Sequence, residues 1–230
     1  MAGHPVIGST FALVEEGVIA PGRESFVFGL GVGPTPVSLT WKDGALDFAW
    51  MTQRVPEFGG TIADRAAFAA ALGVGAGDLV DAPPQVISCG VPFLVAGLKS
   101  RRAVDAVMLD GRAYAAAGAA AGVGNLPLFI FTTDRTGDAG DETAYSRMLA
   151  PGFGIAEDPA TGSASGPLAC YLHAHRLIDR AALSHVVSLQ GVQMLRPSRI
   201  HISLDTAGDA ITRVRVGGRS VLVGEGSLKV

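Results

Sequence analysis

The chain has 230 residues, of which 48% are hydrophobic and 17% charged, and its formal net charge is −3. This apolar content suffices for one large domain or two small ones and excludes an intrinsically disordered chain. With 18 basic against 21 acidic residues and no basic block, the sequence predicts no nucleic-acid partner. Two cysteines, Cys89 and Cys170, are too few for a disulfide framework.

Neither the N-terminus nor the apolar segments of the sequence indicate a membrane protein. The N-terminus lacks the basic and apolar regions of a signal peptide. The uncharged stretch 113–131 invites interpretation as a membrane span, but Ala and Gly dominate it, and Asn125 and Pro127 interrupt it. We therefore expect a soluble, cytoplasmic protein.

Hydrophobic periodicity predicts a helix and then strands in the first part of the chain. Pro5 suits a first helical turn, an apolar face follows it, and Gly17 supplies a stop. From Ser25, apolar residues recur at every second position, which is typical of strands. These alternations are Phe26/Phe28/Leu30, Val37/Leu39/Trp41 and, after a turn at 42–44, Leu46/Phe48/Trp50.

The remaining elements alternate less regularly. Asp64 is predicted to cap a short helix that Gly73 ends, and Ser100 to cap another that runs through Met108. The longest predicted helix is 163–177. The predicted strands are 85–98, with a break at 88–92, then 126–132, 186–189, 200–204, 211–216 and 220–223.

This order of elements indicates an α+β fold with two similar lobes. It lacks the strict strand–helix alternation of a parallel, doubly wound sheet. A faint repeat supports two lobes, because 3–9 and 161–166 both place glycine and polar residues at the start of an apolar helix. The lobe boundary is expected near 97–102.

The segment 154–169 is the most informative part of the sequence for function. The acidic residues Glu157 and Asp158 precede a Gly162-Ser163 pair at a helix start. Free N–H groups and the positive end of the helix dipole attract an anion there. Simple capping by Thr161 or Ser163 is the alternative, although capping requires neither Gly162 nor an Asp held by a following proline.

Residues 157–164, Glu-Asp-Pro-Ala-Thr-Gly-Ser-Ala, resemble the hallmark motif of the phenazine-biosynthesis PhzF-like isomerase family, which has the diaminopimelate epimerase-like fold. Ala2-Gly3-His4-Pro5 resembles that family's first motif, and 88–94 its interdomain segment. A late motif is matched by Gln190-Gly191 with Met194, Arg196, Pro197 and Ser198. The resemblance runs nearly end to end.

The resemblance implies two pseudo-symmetric lobes, each a barrel-like mixed sheet around a central helix. Residues 1–97 would form the first lobe, without its N-terminal strands, and 98–230 the second, with a final strand that can return to the first. The N-termini of the two central helices would face each other across a cleft.

The resemblance also implies cofactor-free proton transfer on a small carboxylated substrate, with no metal; in the pathway enzyme the substrate is a dihydro-hydroxyanthranilate. Gly3, Gly162 and Ser163 would bind the substrate, through its carboxylate. His4 and Asp158 would be catalytic. Members of the family often form homodimers, so a homodimer is expected here.

Family members begin several dozen residues earlier, with strands that carry a catalytic glutamate. Glu15, Glu16 and Glu24 follow the first motif and are poor substitutes for it. Loss of a positioned base costs about two to four orders of magnitude in rate. The expectation is therefore an impaired isomerase or, alternatively, a non-catalytic metabolite-binding protein.

A thiol-pair racemase is the third possibility, because diaminopimelate epimerase and proline racemase share the fold and use two facing cysteines. Here Ala2 precedes Gly3, and no cysteine lies between Asp158 and Ser165. This possibility is therefore disfavoured. A metal site is also disfavoured, since His173 and His175 are two residues apart and point to different faces of a helix.

Overall fold

The structure is a computed structural model that describes residues 3–31, 33–135 and 140–227. Ala2, which the first motif includes, lies outside the described residues. The helices are α1 (Gly3–Glu15), α2 (Arg65–Leu72), α3 (Arg101–Ala106), α4 (Gly111–Ala120) and α5 (Gly162–Ala174). The strands are β1 (Ser25–Leu30), β2 (Gly33–Lys42), β3 (Ala45–Gln53), β4 (Glu57–Thr61), β5 (Gln85–Ser88), β6 (Pro92–Gly97), β7 (Leu128–Thr132), β8 (Ala144–Ala150), β9 (Ile155–Asp158), β10 (Val186–Gln190), β11 (Ser198–Ala207) and β12 (Ala210–Gly218).

The N-terminal unit consists of α1 on an antiparallel sheet of β1, β2 and β3. The two-residue loop between β2 and β3 has positive φ at Asp43 and Gly44, the geometry that twisted hairpins favour. Val6 and Ile7 of α1 pack in one apolar cluster with Val37 and Met51 of the sheet. This packing fixes where α1 starts relative to the rest of the molecule.

The second central helix, α5, is buried on nearly all sides. Ten of its thirteen residues are buried, as expected for a helix without a polar face. It packs against β5, β6, β11 and β12, and its Leu168 and Tyr171 belong to the largest apolar cluster. On the other face of β6–β8, the helices α2, α3 and α4 form a second apolar layer.

A single mixed sheet runs through the molecule in the order β1-β2-β3-β12-β11-β10-β8-β7-β6-β5-β4, and β9 pairs with β8. Only the pairs β6–β7 and β8–β10 are parallel among the described strands. The pairing of β3 with β12 joins the N-terminal unit to the rest. The α+β class is therefore correct. The two lobes stay a proposal, and the packing of Ile87 and Phe93 around α5 favours a boundary after β3 rather than at residue 97.

Most predicted elements are present, with three differences. The predicted strand 220–223 is wrong, since these residues form no strand and Val221 and Val223 are 78% and 92% exposed. The predicted helices 163–177 and 100–108 end earlier, at Ala174 and Ala106. The helix α4 and the strands β4, β8 and β9 were not predicted. The uncharged stretch 113–131 is divided between α4 and β7, and no described helix is long and apolar enough to cross a membrane.

Candidate active site

The N-termini of α1 and α5, which the resemblance placed on opposite sides of a cleft, meet at two glycines. A Cβ atom added to Gly3 would lie 2.6 Å from the Cα of Gly162, and one added to Gly162 would lie 2.9 Å from the Cα of Gly3. Side chains cannot occupy either position without moving a backbone. Glycine is therefore required at both helix starts, and the first N–H groups of both helices, which have no intrahelical partner, come close together.

A cavity of about 400 Å³ opens beside this contact. Gly3 and His4 of α1 and Gly162 of α5 line it, and so do Ala160, Arg199 and Arg219. Of the five predicted site residues, the cavity lining therefore includes Gly3, His4 and Gly162. Among the described residues that line it, none is Asp or Glu.

His4 is exposed at the cavity and is anchored by one of its ring nitrogens. Its Nδ1 lies 2.8 Å from the carbonyl oxygen of Ala160. A carbonyl can only accept, so a neutral His4 carries its proton on Nδ1 and leaves the lone pair on Nε2. The ring is thus held in the tautomer in which Nε2 can accept a proton.

Asp158 and Ser163 are half-buried next to the cavity but are not among the residues that line it. Asp158 ends β9, and the hydroxyl of Thr161 donates a hydrogen bond to its Oδ2. Ser163 is the second residue of α5, where backbone N–H groups point out of the helix. Both residues stay predictions as site residues.

Two buried glutamines hold the start of α5. Neither was predicted as a site residue. Gln53 of β3 donates from Nε2 to the carbonyl oxygen of Gly162 at 2.9 Å. Gly166 leaves room for it, since a Cβ there would lie 1.9 Å from Gln53 Oε1. Gln190 of β10 bonds the segment between Asp158 and α5. The position of Gln190 in the late motif could have identified it as a site residue, whereas Gln53 belongs to none of the motifs.

Both arginines of the cavity wall are paired with carboxylates. Arg219 donates to both oxygens of Asp47, at 3.0 and 2.9 Å, and this hydrogen bonding lowers the pKa of Asp47. Arg199 forms ion pairs with Asp141 and Glu142. Because two guanidinium groups face three carboxylates, the arginines bring no excess positive charge to the wall. Within the part of the chain that the structure describes, the helix N-termini add positive potential there.

The two cysteines face each other inside the core and not across the cavity. Their Sγ atoms are 3.9 Å apart, and Cys89 and Cys170 are 3% and 0% exposed. The hydrogen bond with Cys89, and then burial, raise the pKa of the Cys170 thiol. No substrate fits between two sulfur atoms in contact. Cys89 and Cys170 therefore do not form the pair of facing catalytic thiols that a thiol-pair racemase uses.

Solved structures place this architecture among the epimerase-like α+β proteins. A PhzF-family phenazine biosynthesis protein from Bacillus anthracis superposes with a TM-score of 0.81 at 19% identity, over 100% of this chain and 76% of that one. A predicted epimerase from Pseudomonas aeruginosa gives 0.70 at 28% identity, over 98% and 75%. A probable proline racemase from Agrobacterium radiobacter gives 0.60 at 14% identity, covering 100% of this chain and 68% of that one, and so shares the fold.

The sequence comparison is more specific. The family of phenazine biosynthesis-like proteins matches residues 1–226, and the chain belongs to this family. It is 32% identical, over 98% of its length and 73% of the relative, to the trans-2,3-dihydro-3-hydroxyanthranilate isomerase of Pseudomonas aeruginosa. It is 30% identical, over 99% and 75%, to an uncharacterized isomerase of Mesorhizobium japonicum. These relatives support a general isomerase or epimerase activity.

Proposed function

We propose that the chain is a cofactor-free isomerase that moves a proton on a small carboxylated substrate bound between α1 and α5. The observation that carries the proposal is the contact of the two helix N-termini at Gly3 and Gly162, with His4 on the wall of the same cavity. The family membership supports the reaction class.

The carboxylate of the substrate is expected at the helix starts. The N–H groups of the first turns have no intrahelical partner, and both helix dipoles present their positive ends there. The glycines allow an anion to approach the backbone closely. The arginines of the wall are already paired, so they do not compete strongly for the same carboxylate.

The proton is expected to move through His4, assisted by Asp158. Nε2 of His4 carries the lone pair, because Nδ1 is bound to Ala160. A side chain that takes up a proton must reach the reacting carbon within hydrogen-bond distance. His4 lines the cavity, whereas Asp158 does not and accepts a hydrogen bond from Thr161. His4 is therefore assigned the proton transfer at the substrate, and Asp158 is a second acid–base group that assists it.

The test is proton exchange with deuterated water. The probe is trans-2,3-dihydro-3-hydroxyanthranilate, the compound in the name of the Pseudomonas relative. Deuterium incorporation is followed by NMR with the purified chain, and Asp158→Asn should lower the rate. Exchange no faster than in a protein-free sample, for this compound and other cyclic hydroxylated carboxylates, would reject the isomerase.

A non-catalytic metabolite-binding protein is the second candidate, because none of the described cavity-lining residues is a carboxylate. In that case the same compound binds in a calorimeter but gains no deuterium. Binding with exchange favours the isomerase, and binding without exchange favours the binding protein. One pair of measurements therefore separates the two functions.

Ser163→Ala is expected to weaken binding of the carboxylate by about 1–2 kcal/mol, on the order of a single hydrogen bond. Isothermal titration calorimetry with the same probe measures it. Ser9→Ala in α1 is a suitable control, since Ser9 is exposed and does not line the cavity. Equal affinities of the Ser163→Ala protein and the unaltered chain would remove Ser163 from the site.

The cysteines should be dispensable for the reaction. We expect Cys89→Ala to retain proton exchange within about threefold, since no residue of the cavity wall changes and only a small buried side chain is lost. Thiol-alkylating reagents should likewise leave the folded chain active, because both thiols are buried. A loss of exchange in the folded Cys89→Ala protein would revive the thiol-pair mechanism.

We propose that the finer organisation follows the family resemblance, with a cytoplasmic homodimer and two lobes in each chain. The terminal strands β1 and β4 expose Val27 and Phe58, and unpaired strand edges are common association surfaces. Light scattering on the purified chain determines the oligomeric state, and a monomer across the micromolar range would rule out the dimer.

A further inference from the structure

Gln190 is the last residue of β10, is fully buried, and lies behind the segment that joins Asp158 to α5. Its Nε2 donates to the carbonyl oxygen of Asp158 at 2.7 Å and to Thr161 Oγ1 at 2.9 Å. Its Oε1 accepts from the backbone N–H of Thr161 at 3.1 Å. Because one partner is an obligate acceptor and another an obligate donor, the amide has a single possible orientation.

This orientation determines the direction of the next hydrogen bond. Thr161 Oγ1 accepts a hydrogen from Gln190, so the hydroxyl's own hydrogen is available for another acceptor. That acceptor is Oδ2 of Asp158. Oδ2 is thus committed to accepting from Thr161, and Oδ1 is the oxygen of Asp158 at which a proton can be taken up or released.

The same short segment orients His4. The carbonyl oxygen of Ala160, between Asp158 and Thr161, accepts from His4 Nδ1. The conformation of residues 158–161 therefore decides both which oxygen of Asp158 and which nitrogen of His4 are available for proton transfer. Gln190 contacts this segment at both of its ends, through Asp158 and through Thr161.

We propose that Gln190 is a positioning residue, which acts through Thr161 to set the proton-transfer atoms of Asp158 and His4. The assignment rests on the proposed function for its catalytic meaning. Among the described residues, Arg147 and Glu157 also lie beside the segment, as an ion pair. Arg147 donates two hydrogen bonds to Glu157, so it does not replace Gln190 as a donor to Thr161.

The decisive variants are Gln190→Glu, which keeps the shape but loses the Nε2 donors, and Thr161→Val, which keeps the shape but loses the hydroxyl. Thr161→Ser retains the hydroxyl and is the matched control. With trans-2,3-dihydro-3-hydroxyanthranilate as the probe, we expect both decisive variants to lower the maximal exchange rate about 10- to 100-fold, within the range for acid–base groups. Substrate affinity should change less than about threefold, and the control should stay within about threefold of the unaltered chain.

A second readout needs no activity. The ¹³C resonance of the Asp158 side-chain carboxylate should move in Gln190→Glu and Thr161→Val and stay in place in Thr161→Ser, while resonances of the distant strand β1 remain unchanged. If the unaltered chain shows no exchange, the proposed function fails and this resonance alone decides the role of Gln190. An unmoved Asp158 resonance in Gln190→Glu, or unaltered maximal exchange of that variant in an active chain, would overturn the assignment. If Gln190→Glu does not fold, Gln190→Met, which also lacks the Nε2 donors, decides between the same outcomes.

Discussion

Gly3→Val is expected to separate α1 from α5 and to abolish proton exchange. Even the Cβ of an alanine at this position would lie 2.6 Å from the Cα of Gly162, and valine adds two methyl groups to it. The neighbour is backbone at the start of a buried helix, so it cannot rotate away. The two helices must move apart, so the free N–H groups at their N-termini no longer lie close enough to bind the same carboxylate. Overpacking of this kind costs about 1–3 kcal/mol.

Two measurements test Gly3→Val. Deuterium exchange into trans-2,3-dihydro-3-hydroxyanthranilate measures the loss of activity, and chemical denaturation measures the loss of stability. Gly162→Val should act in the same way from the opposite helix, because the contact is reciprocal. The stability control is Gly8→Ala in the middle of α1, where an added Cβ meets nothing within 4 Å. It should stabilise the chain by about 0.5–1 kcal/mol. A Gly3→Val protein with normal exchange would show that the helix contact is not the substrate site.

His4→Ala should reduce exchange by about two to four orders of magnitude, the usual contribution of a positioned acid–base group. The side chain is exposed at the cavity, so the expected effect on the free energy of unfolding is small. His4→Asn is the sharper comparison. Its amide nitrogen can replace Nδ1 as the donor to Ala160, but it has no counterpart of Nε2.

Loss of exchange in both His4 variants, with calorimetric affinity retained, would assign the proton transfer to Nε2. Normal exchange in His4→Asn combined with loss in His4→Ala would instead limit His4 to holding the segment at Ala160. Normal exchange in both variants would place the acid–base group elsewhere in the protein.

Elements with a local signal were predictable from the sequence. In the hairpin of β2 and β3, exposed residues alternate strictly with buried or half-buried ones along β2, and an Asp43-Gly44 loop follows it. The ends of α2 are set by Asp64, which accepts from the N–H of Ala67, and by Gly73 in the left-handed conformation. In each case the residues that determine the conformation lie within the element or next to it.

Elements that depend on distant partners were missed. In β8 every residue except Arg147 is buried, and in β4 every residue is exposed, so neither strand alternates. The predicted strand 220–223 shows the opposite error, since its apolar residues find no neighbouring strand. Burial in these segments is decided by tertiary packing and not by the period of the sequence.

The residues of the candidate site also fall into a group that local motifs predicted and a group that depends on distant partners. The motifs around Gly3, His4 and Gly162 predicted the residues that meet at the cavity. Gln53, Arg199 and Arg219 could not be predicted, because strand pairing brings them to the site from far along the chain. Gln53, for example, is 109 residues from the carbonyl group that it binds.

The insertion of β12 between β3 and β11 has a consequence for the order of folding during synthesis. Until residue 218 has left the ribosome, β3 has no partner on that side, and its edge stays open to pairing with other chains. Strand pairings between distant parts of a chain also form slowly, because a long loop must close first. The pairing that joins the N-terminal unit to the rest of the sheet therefore forms only after residue 218 has been synthesised, and until then the open edge of β3 can associate with other chains.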